Sequence, residues 1–234
     1  MTPSTYRWSG GSEAMLRFGP TTGPVVIAAM PLFEEANRTR SFIVAILRAL
    51  AERGIGSALP DLPGTGDSLT ETEHATLSNW QEAFSGCAMT LGRDRIHAFG
   101  VRGGTLLDAT AAIASRYHFA PIDGNAVVRD LLRTRLAAAK EDGVPADAGT
   151  IAPPGPPITL AGNRISRQLL ADLTVAAPST VGPCRIARLD SDGRPGDVKF
   201  PGAPLWRRAE PGNDPALAVL IADDIAASIA TCAA

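Results

Sequence analysis

Residues 99–104 constrain the fold of this chain more than any other segment of the sequence. They read Phe-Gly-Val-Arg-Gly-Gly and lie between a short apolar segment, residues 95–99, and a helical pattern that begins near Gly104. Glycines have no Cβ, so they permit the tight turn and the close backbone packing of a strand that leads directly into a helix. The segment therefore predicts a strained strand–turn–helix connection with Arg102 at its apex.

Apolar segments of strand length alternate with helical patterns along the chain, which predicts a mostly parallel sheet covered by helices on both faces. The predicted strands are residues 14–18, 24–30, 55–61, 95–99, 118–122, 158–161 and 184–189. The predicted helices are residues 39–53, a helix capped by Ser78 and Gln81, residues 104–116 and 125–140, a short helix capped by Ser166, and a last helix with Asp214 at its N-cap. Residues 142–157 are rich in Pro, Gly and Ala, which predicts an extended surface loop.

Composition and charge argue against several classes of protein. The chain has 234 residues, of which 45% are hydrophobic, so it can bury a sizeable core. Its formal net charge of −2 gives no reason to expect a nucleic-acid partner. Its three cysteines, Cys87, Cys184 and Cys232, are too widely spaced for a disulfide framework or a metal site. With no signal-peptide pattern and no apolar run long enough to span a membrane, we expect a cytoplasmic protein without metal or cofactor.

Three segments, in this order, resemble the α/β-hydrolase superfamily. They are the strand at residues 24–30 with its loop, the pattern Asp61-x-x-Gly64-x-Gly66-x-Ser68, and the glycine-flanked turn at Arg102, where hydrolases of the G-x-S-x-G type carry serine. The resemblance implies one α/β-hydrolase-like domain over residues 1–234, with a mostly parallel central sheet, helices on both faces and a reduced cap at about residues 123–177.

The motifs are also similar, more narrowly, to those of the hydrolases associated with the exosortase A system. Residues 31–40 (PLFEEANRTR) resemble the P-x-F-x-E-E-x-N-x-x-R type of segment in that family, although here the phenylalanine and the acidic pair are adjacent. Residues 61–68, the Gly100-Val101-Arg102 turn of the family's second type and Pro204-Leu205-Trp206 are similar too. This resemblance is patchy between residues 140 and 183. It implies a place in loci for exopolysaccharide production and protein sorting, and it does not imply a reaction.

The residues of a standard triad are incomplete in this sequence. The triad of this fold runs in the order Ser, Asp or Glu, then His. Arg102 stands at the place of the serine, and a guanidinium offers only donors. Asp190 or Asp192 would take the place of the acid. No histidine follows the next strand, because the chain's three histidines, at positions 74, 97 and 118, all come earlier.

Substitutes for the missing nucleophile are weak. Ser68 lies on a loop near the top of the predicted sheet, and Thr105 lies one turn into the predicted helix, but neither has an identifiable base. His97 and His118 fit structural roles in strands, and His74 fits a surface role. We therefore predict that an ordinary serine hydrolase mechanism does not operate.

Two roles for Arg102 remain open. In the first, Glu34 or Glu35 pairs with Arg102 and fills the site, since a buried cation needs such a partner. In the second, Arg102, with Arg38 or Arg40 nearby, holds the carboxylate or phosphate of a small anionic ligand. We favour the first role, and the two can coexist if only one glutamate is engaged.

The predicted function is that of an α/β-hydrolase-like protein without the standard triad, either inactive or non-classical. It would have a binding or scaffolding role linked to exopolysaccharide production and exosortase protein sorting. The alternative is an active ester or thioester hydrolase with an unconventional nucleophile, or with a water activated by a carboxylate near Arg102. A third hypothesis is that the site is a packed core and the protein acts through its surface. A protein partner or a second copy of the chain stays open.

Overall fold

The computed structural model describes residues 1–92, 95–141 and 151–232. The strands are β1 Thr2–Trp8, β2 Gly11–Phe18, β3 Val25–Ala29, β4 Gly56–Pro60, β5 Ile96–Val101, β6 Ser115–Phe119, β7 Ile158–Leu160, β8 Asn163–Ile165, β9 Cys184–Leu189 and β10 Val198–Phe200. Eight of them form one sheet in the order β1-β2-β4-β3-β5-β6-β9-β10, and β7 and β8 form a separate antiparallel hairpin. In the main sheet β1 and β2 are antiparallel and the strands from β4 to β10 pair in parallel, which confirms the predicted mostly parallel sheet.

Helices cover both faces of the main sheet, also as predicted. They are α1 Glu34–Glu52, α2 Leu77–Leu91, α3 Gly124–Glu141, α4 Arg167–Val175 and α5 Pro215–Thr231. On one face, α1 and α5 bury their apolar residues against Phe99 and Phe119 of the sheet. On the other face, α2, α3 and α4 contribute to a second apolar core that includes Trp80 and Ile27. Every residue of β3 is buried, because a central parallel strand has helices above and below it.

The predicted helix over residues 104–116 is wrong. The turn leads instead into a short 3₁₀ helix, Arg102–Leu106, and the chain re-enters the sheet at Ser115. Asp108 lies in this connection, and its buried carboxylate accepts a hydrogen bond from Arg116. The hydrogen bonds from Arg116 hold Asp108 against the start of β6, and residues 107–114 form turns and bends instead of a helix. The strand predicted at residues 118–122 is displaced with it, since β6 ends before Ala120, which has a positive φ of 49°.

Other differences are local. The cap of α2 is Thr76, whose side chain accepts the backbone N–H of Asn79 at 3.1 Å, and not the predicted Ser78. The predicted caps Ser166 and Asp214 are confirmed, because each accepts a backbone N–H in the first turn of its helix. Strands β1 and β8 were not predicted, whereas β10 is the strand expected between the acid and histidine positions of a triad. The structure begins α1 at Glu34, five residues before the predicted start at 39.

The predicted cap segment, residues 123–177, contains α3, the β7–β8 hairpin and α4 in its described part. Its apolar side chains, including Leu131, Leu160 and Leu169, join the core that contains Trp80 of α2. Of the predicted loop at 142–157, residues 142–150 lie outside the described residues, and 151–157 contain neither helix nor strand. Within the described ranges, the helices fall short of the length and apolarity that a membrane span requires.

Candidate functional site

The turn after β5 places Arg102 in a strained backbone conformation at the carboxyl end of the sheet. Arg102 has a φ of 54°, in the left-handed region that residues with a Cβ rarely adopt. A Cβ at Gly104 would lie 2.3 Å from the carbonyl oxygen of Met30, so only glycine lets the turn pack against the end of β3. The carboxyl ends of parallel strands are where open α/β sheets bind their ligands. The elbow geometry is thus present, with arginine at its apex.

Glu35 is the partner of Arg102. The Arg102 Nη2 donates to Glu35 Oε1 at 2.9 Å, and Nε lies 3.3 and 3.2 Å from Oε1 and Oε2. The two side chains are 8% and 21% exposed, so the pair is largely removed from water. Burial raises the pKa of the Glu35 carboxyl, and the hydrogen bonds from Arg102 oppose that rise. The contact is a charge-assisted pair with two guanidinium nitrogens engaged.

The other predicted charged residues have different partners, although Glu34 and Arg38 line a cavity beside Arg102. Glu34 pairs with Arg38 one helical turn later, at 3.5 Å, in a half-exposed position. Arg38 still reaches the rim of the site, because its Nη1 donates to the carbonyl oxygen of Trp206 at 3.2 Å. Arg40 lies 3.7 Å from Asp61 and lines a different cavity of about 230 Å³. Adjacent residues on a helix point about 100° apart, so one glutamate of the pair faces Arg102 and the other does not.

Trp206 is a site residue that sequence reasoning did not assign. The Cζ of Arg102 lies 4.9 Å from the centroid of its ring, which is a cation–π contact, and Trp206 also packs edge-on against Phe119. Its Nε1 is a buried donor for which the described residues provide no acceptor. Trp206 follows β10, the stretch of chain where the histidine of a triad would stand. That position in the chain order and the Pro204-Leu205-Trp206 motif are the two sequence signals that point to it.

The two acid-position candidates do not contact Arg102 in the described structure. Asp192 accepts hydrogen bonds from Arg194 at 2.8 and 3.0 Å and from Arg188 at 3.0 Å. The bonds from Arg194, more than those from Arg188, hold the pKa of Asp192 well below its usual range. Asp190 is exposed, and its backbone N–H donates to Phe200.

The carboxylate that approaches Arg102 besides Glu35 is Asp130 of α3, at 3.8 Å. Asp130 lies on a half-exposed helix face that also carries Arg133, its partner at 3.4 Å. A solvated helix face is the ordinary interpretation of such charges, so the sequence offers no signal that singles out this aspartate.

Two cavities flank Arg102 and Trp206. One, of about 360 Å³, is lined by Glu35, Arg38 and Asp130 among others, and the second has about 410 Å³. The charged residues that line the second cavity are Arg102, Arg129, Arg194 and Arg207, with Asp130 and Asp192. Together the two cavities are lined by six arginines and four carboxylates, including Glu35 as the partner of Arg102, and this excess of positive charge favours an anion.

The chain's three histidines lie away from these cavities, whose described linings contain none of them. His74 ends the short 3₁₀ turn Thr72–His74. His97 bonds to Ser115 at 2.8 Å, and burial lowers the pKa of His97 to about 4. His118 bonds to Asp108 through Nε2 at 2.8 Å. Burial disfavours a charged ring there, but hydrogen bonds with Asp108 and Cys184 outweigh it and raise the pKa of His118 to about 9.

The opposite pKa shifts of His97 and His118 predict that the free energy of unfolding falls both above and below neutral pH. Between about 6.5 and about 9 the folded chain keeps a proton on His118 that the unfolded chain releases, so we expect the free energy of unfolding to fall as pH rises. Between about 6.5 and about 4 the unfolded chain protonates His97 first, so stability falls as pH falls. Denaturant titrations across pH 4–9 measure both limbs. A His118→Gln variant should lose most of the alkaline slope, and an alkaline limb as steep as in the parent chain would contradict this assignment.

A scan against protein-family models and a search of curated protein sequences found no match. Solved structures match over nearly the whole chain at low sequence identity. The structure of Est1E from Butyrivibrio proteoclasticus with ferulic acid bound has a TM-score of 0.64 at 15% identity, covering 97% of this chain and 99% of that one.

Two further structures match to a similar extent. A thermophilic esterase from Thermogutta terrifontis has a TM-score of 0.58 at 13% identity, covering 98% of this chain and 99% of that one. The bottromycin epimerase BotH, in complex with bottromycin A2, has a TM-score of 0.57 at 15% identity, covering 98% and 100%. Together with the strand order and the elbow, these likenesses show that the chain has the α/β-hydrolase fold.

Proposed function

We propose that this chain is a non-classical member of its fold that binds a small anionic molecule at the elbow and does not carry out serine-dependent acyl transfer. The observation that carries the proposal is the replacement of the nucleophile: Arg102, at a φ of 54°, holds the apex of the elbow and is stacked on Trp206. A guanidinium has no lone pair with which to attack a carbonyl carbon. The fold alone does not decide the reaction, since its solved examples include both an esterase and an epimerase.

Charge supports an anion as the ligand. Arg102 already uses two of its nitrogens, Nε and Nη2, in hydrogen bonds to Glu35. An incoming carboxylate or phosphate would accept hydrogen bonds from the remaining guanidinium N–H groups and from neighbouring arginines. Arg207 is exposed and lines both cavities beside Arg102. The buried indole N–H of Trp206, which lacks an acceptor among the described residues, offers one further donor. The apolar lining from Ile122 and Leu189 suits an uncharged group attached to the anion.

The binding proposal predicts stabilisation by simple aromatic anions. We expect phenyl phosphate or benzoate to raise the thermal midpoint, because a ligand at one hundred times its Kd that binds only the folded chain adds about 2.7 kcal/mol. Calorimetric titration of Arg207→Ala should give an affinity about tenfold weaker, the loss of one charge-assisted hydrogen bond. Arg48→Ala, an exposed arginine of α1 outside both cavities, is the matched control. If Arg207→Ala and Arg48→Ala bind the ligand equally strongly, the result would contradict a site at the elbow.

A second candidate function is hydrolysis by an activated water. The observation that favours it is Glu35, which lines the first cavity and whose pKa is raised by burial toward the range of a general base. Glu35 would take a proton from water, and Arg102 would stabilise the oxyanion that forms on the carbonyl. Glu35→Gln separates the two functions. We expect p-nitrophenyl acetate to be turned over no faster by the parent chain than by Glu35→Gln, and a loss of turnover in the variant would favour the hydrolase.

The motif resemblance to the exosortase A-associated hydrolases extends the proposal to a biological setting. Residues 31–40 and Pro204-Leu205-Trp206 carry that resemblance and include Glu35 and Trp206 of the site. We propose on this basis a cytoplasmic role near exopolysaccharide production or protein sorting. Cells without the chain should then secrete less polysaccharide, with recovery on re-expression of the parent chain and not of Arg102→Met. Unchanged secretion in cells without the chain would remove this setting and leave the anion site untouched.

A further inference from the structure

A second cluster of chemically active side chains lies away from the elbow, between β6 and β9. His118 Nε2 is 2.8 Å from Asp108 Oδ2, and the other ring nitrogen, Nδ1, is 3.5 Å from the sulfur of Cys184. The His118 ring thus connects the two other residues, with one nitrogen at the Asp108 carboxylate and the other at the Cys184 sulfur. A nucleophile, a base and a group that orients the base are the three parts of an activated-thiol arrangement.

The orientation of the ring is fixed by buried contacts. Arg116 Nε donates to the carboxylate of Asp108 at 3.1 Å, and Nη2 donates to the backbone carbonyl of the same residue at 3.1 Å. Asp108 and His118 are each 1% exposed. The carboxylate holds Nε2, so Nδ1 is directed to the sulfur and cannot turn to water without breaking a buried hydrogen bond.

Cys184 itself is accessible. It is partly exposed at the first residue of β9 and lines a cavity of about 410 Å³ together with Arg116 and Arg185. None of the residues lining this cavity lines the two cavities at Arg102. The cluster is therefore separate from the elbow, and its chemistry is independent of the function proposed for Arg102.

The two other cysteines are natural comparisons within the same molecule. Cys87 is buried in α2, and burial raises the pKa of its thiol to about 12. Cys232 is exposed, just after the end of α5, and lines the same cavity as Cys184 without a histidine among that cavity's described lining residues. Exposure alone would make Cys232 the most reactive thiol, whereas an activating histidine would favour Cys184.

We propose that Cys184 is a peroxide-reactive thiol, with the protonated ring of His118 as the cation that stabilises its thiolate and Asp108 as a positioning residue. The thiolate of Cys184, held beside the His118 imidazolium, attacks one oxygen of a hydroperoxide. The S–O bond forms as the O–O bond breaks, so the sulfur is oxidised to sulfenic acid and the peroxide is reduced. The leaving oxygen takes the proton from His118 and departs as water or an alcohol. One thiol and one hydroperoxide thus give one sulfenic acid and one hydroxyl compound.

The test is oxidation of the intact chain with limiting hydrogen peroxide in the presence of dimedone, which traps sulfenic acids, followed by peptide mass spectrometry. We expect Cys184 to be trapped faster than the more exposed Cys232, and Cys87 to stay unmodified. His118→Gln should slow trapping at Cys184 by at least about tenfold, because the thiolate loses the neighbouring cation that stabilises it, and leave Cys232 unchanged. Asp108→Asn should slow it less, because the imidazole of His118 remains beside the sulfur.

The comparison within the parent chain keeps the test decisive if a variant folds poorly. Modification of Cys87 reports such unfolding, since this thiol is buried in the folded chain. Trapping at Cys232 that equals or exceeds trapping at Cys184 in the parent chain would overturn the proposal. So would a His118→Gln variant that keeps Cys87 protected and oxidises Cys184 at the parent rate.

Discussion

Replacing Arg102 by methionine is expected to lower the free energy of unfolding by about 3 kcal/mol, because the change leaves the Glu35 carboxylate buried without its partner. The magnitude is taken at the low end for a buried pair, since Glu35 is 21% exposed. Methionine keeps a Cβ at the positive φ, so the backbone strain is the same in both chains. The stacking of the guanidinium on Trp206 is lost as well. Denaturant unfolding of the two chains measures the difference.

The double variant tests whether the loss comes from the pair. Arg102→Met combined with Glu35→Met should recover part of the stability, because two apolar side chains in contact replace an uncompensated charge. Arg48→Met, at an exposed position on α1, should stay within about 0.5 kcal/mol of the parent chain. A neutral Arg102→Met variant, or a double variant as unstable as the sum of the singles, would show that the pair does not stabilise the fold.

Gly104→Ala is expected to have an effect of the same size, a loss of about 3 kcal/mol at the upper end of overpacking. The added Cβ would lie 2.3 Å from the carbonyl oxygen of Met30 and 2.4 Å from that of Ala29. Both obstacles are backbone atoms at the end of the central strand β3, so a change of rotamer cannot relieve the contact. The elbow would have to move away from the sheet, and with it Arg102. Thermal or denaturant unfolding detects the loss.

The matched control is Gly193→Ala. A Cβ at Gly193 would meet nothing within 4 Å, so this second glycine-to-alanine change should lie within about 0.5 kcal/mol of the parent chain. If Gly104→Ala were equally mild, the close approach of the elbow to β3 would not be needed for folding.

The main parts of the fold were predictable because they depend on strong local patterns. The run that forms β3 is apolar at every position, and Cys184–Leu189 was predicted with the bounds that the structure has. Strand β1 gave no such signal. It lies at the edge of the sheet, and Tyr6 is its one buried residue, so its sequence lacks the alternation of a half-buried strand. The helix predicted after the elbow failed because Asp108, which looks like a surface residue in the sequence, is a buried anchor.

The candidate site was predictable only in part. Chain order and glycine spacing locate Arg102, and topology brings an acidic pair near it. The choice of Glu35 over Glu34 depends on where α1 begins, which is set by Phe33 at a φ of 57°. Trp206 reaches the site from the short 3₁₀ helix Leu205–Arg207, about one hundred residues after Arg102 in the chain. Such long-range contacts depend on tertiary packing that has no local pattern in the sequence.

Anion binding at Arg102, without attack on acyl groups, is the property that distinguishes this elbow from that of a serine hydrolase. A crystal structure of the protein with phenyl phosphate tests it most directly. We expect the phosphate within hydrogen-bond distance of Arg102 or Arg207, with Glu35 still paired to Arg102. The result would contradict anion binding if both cavities beside Trp206 held no phosphate at a saturating concentration of the ligand. An acyl adduct on any side chain of this site, after treatment with an activated ester, would contradict the absence of acyl attack.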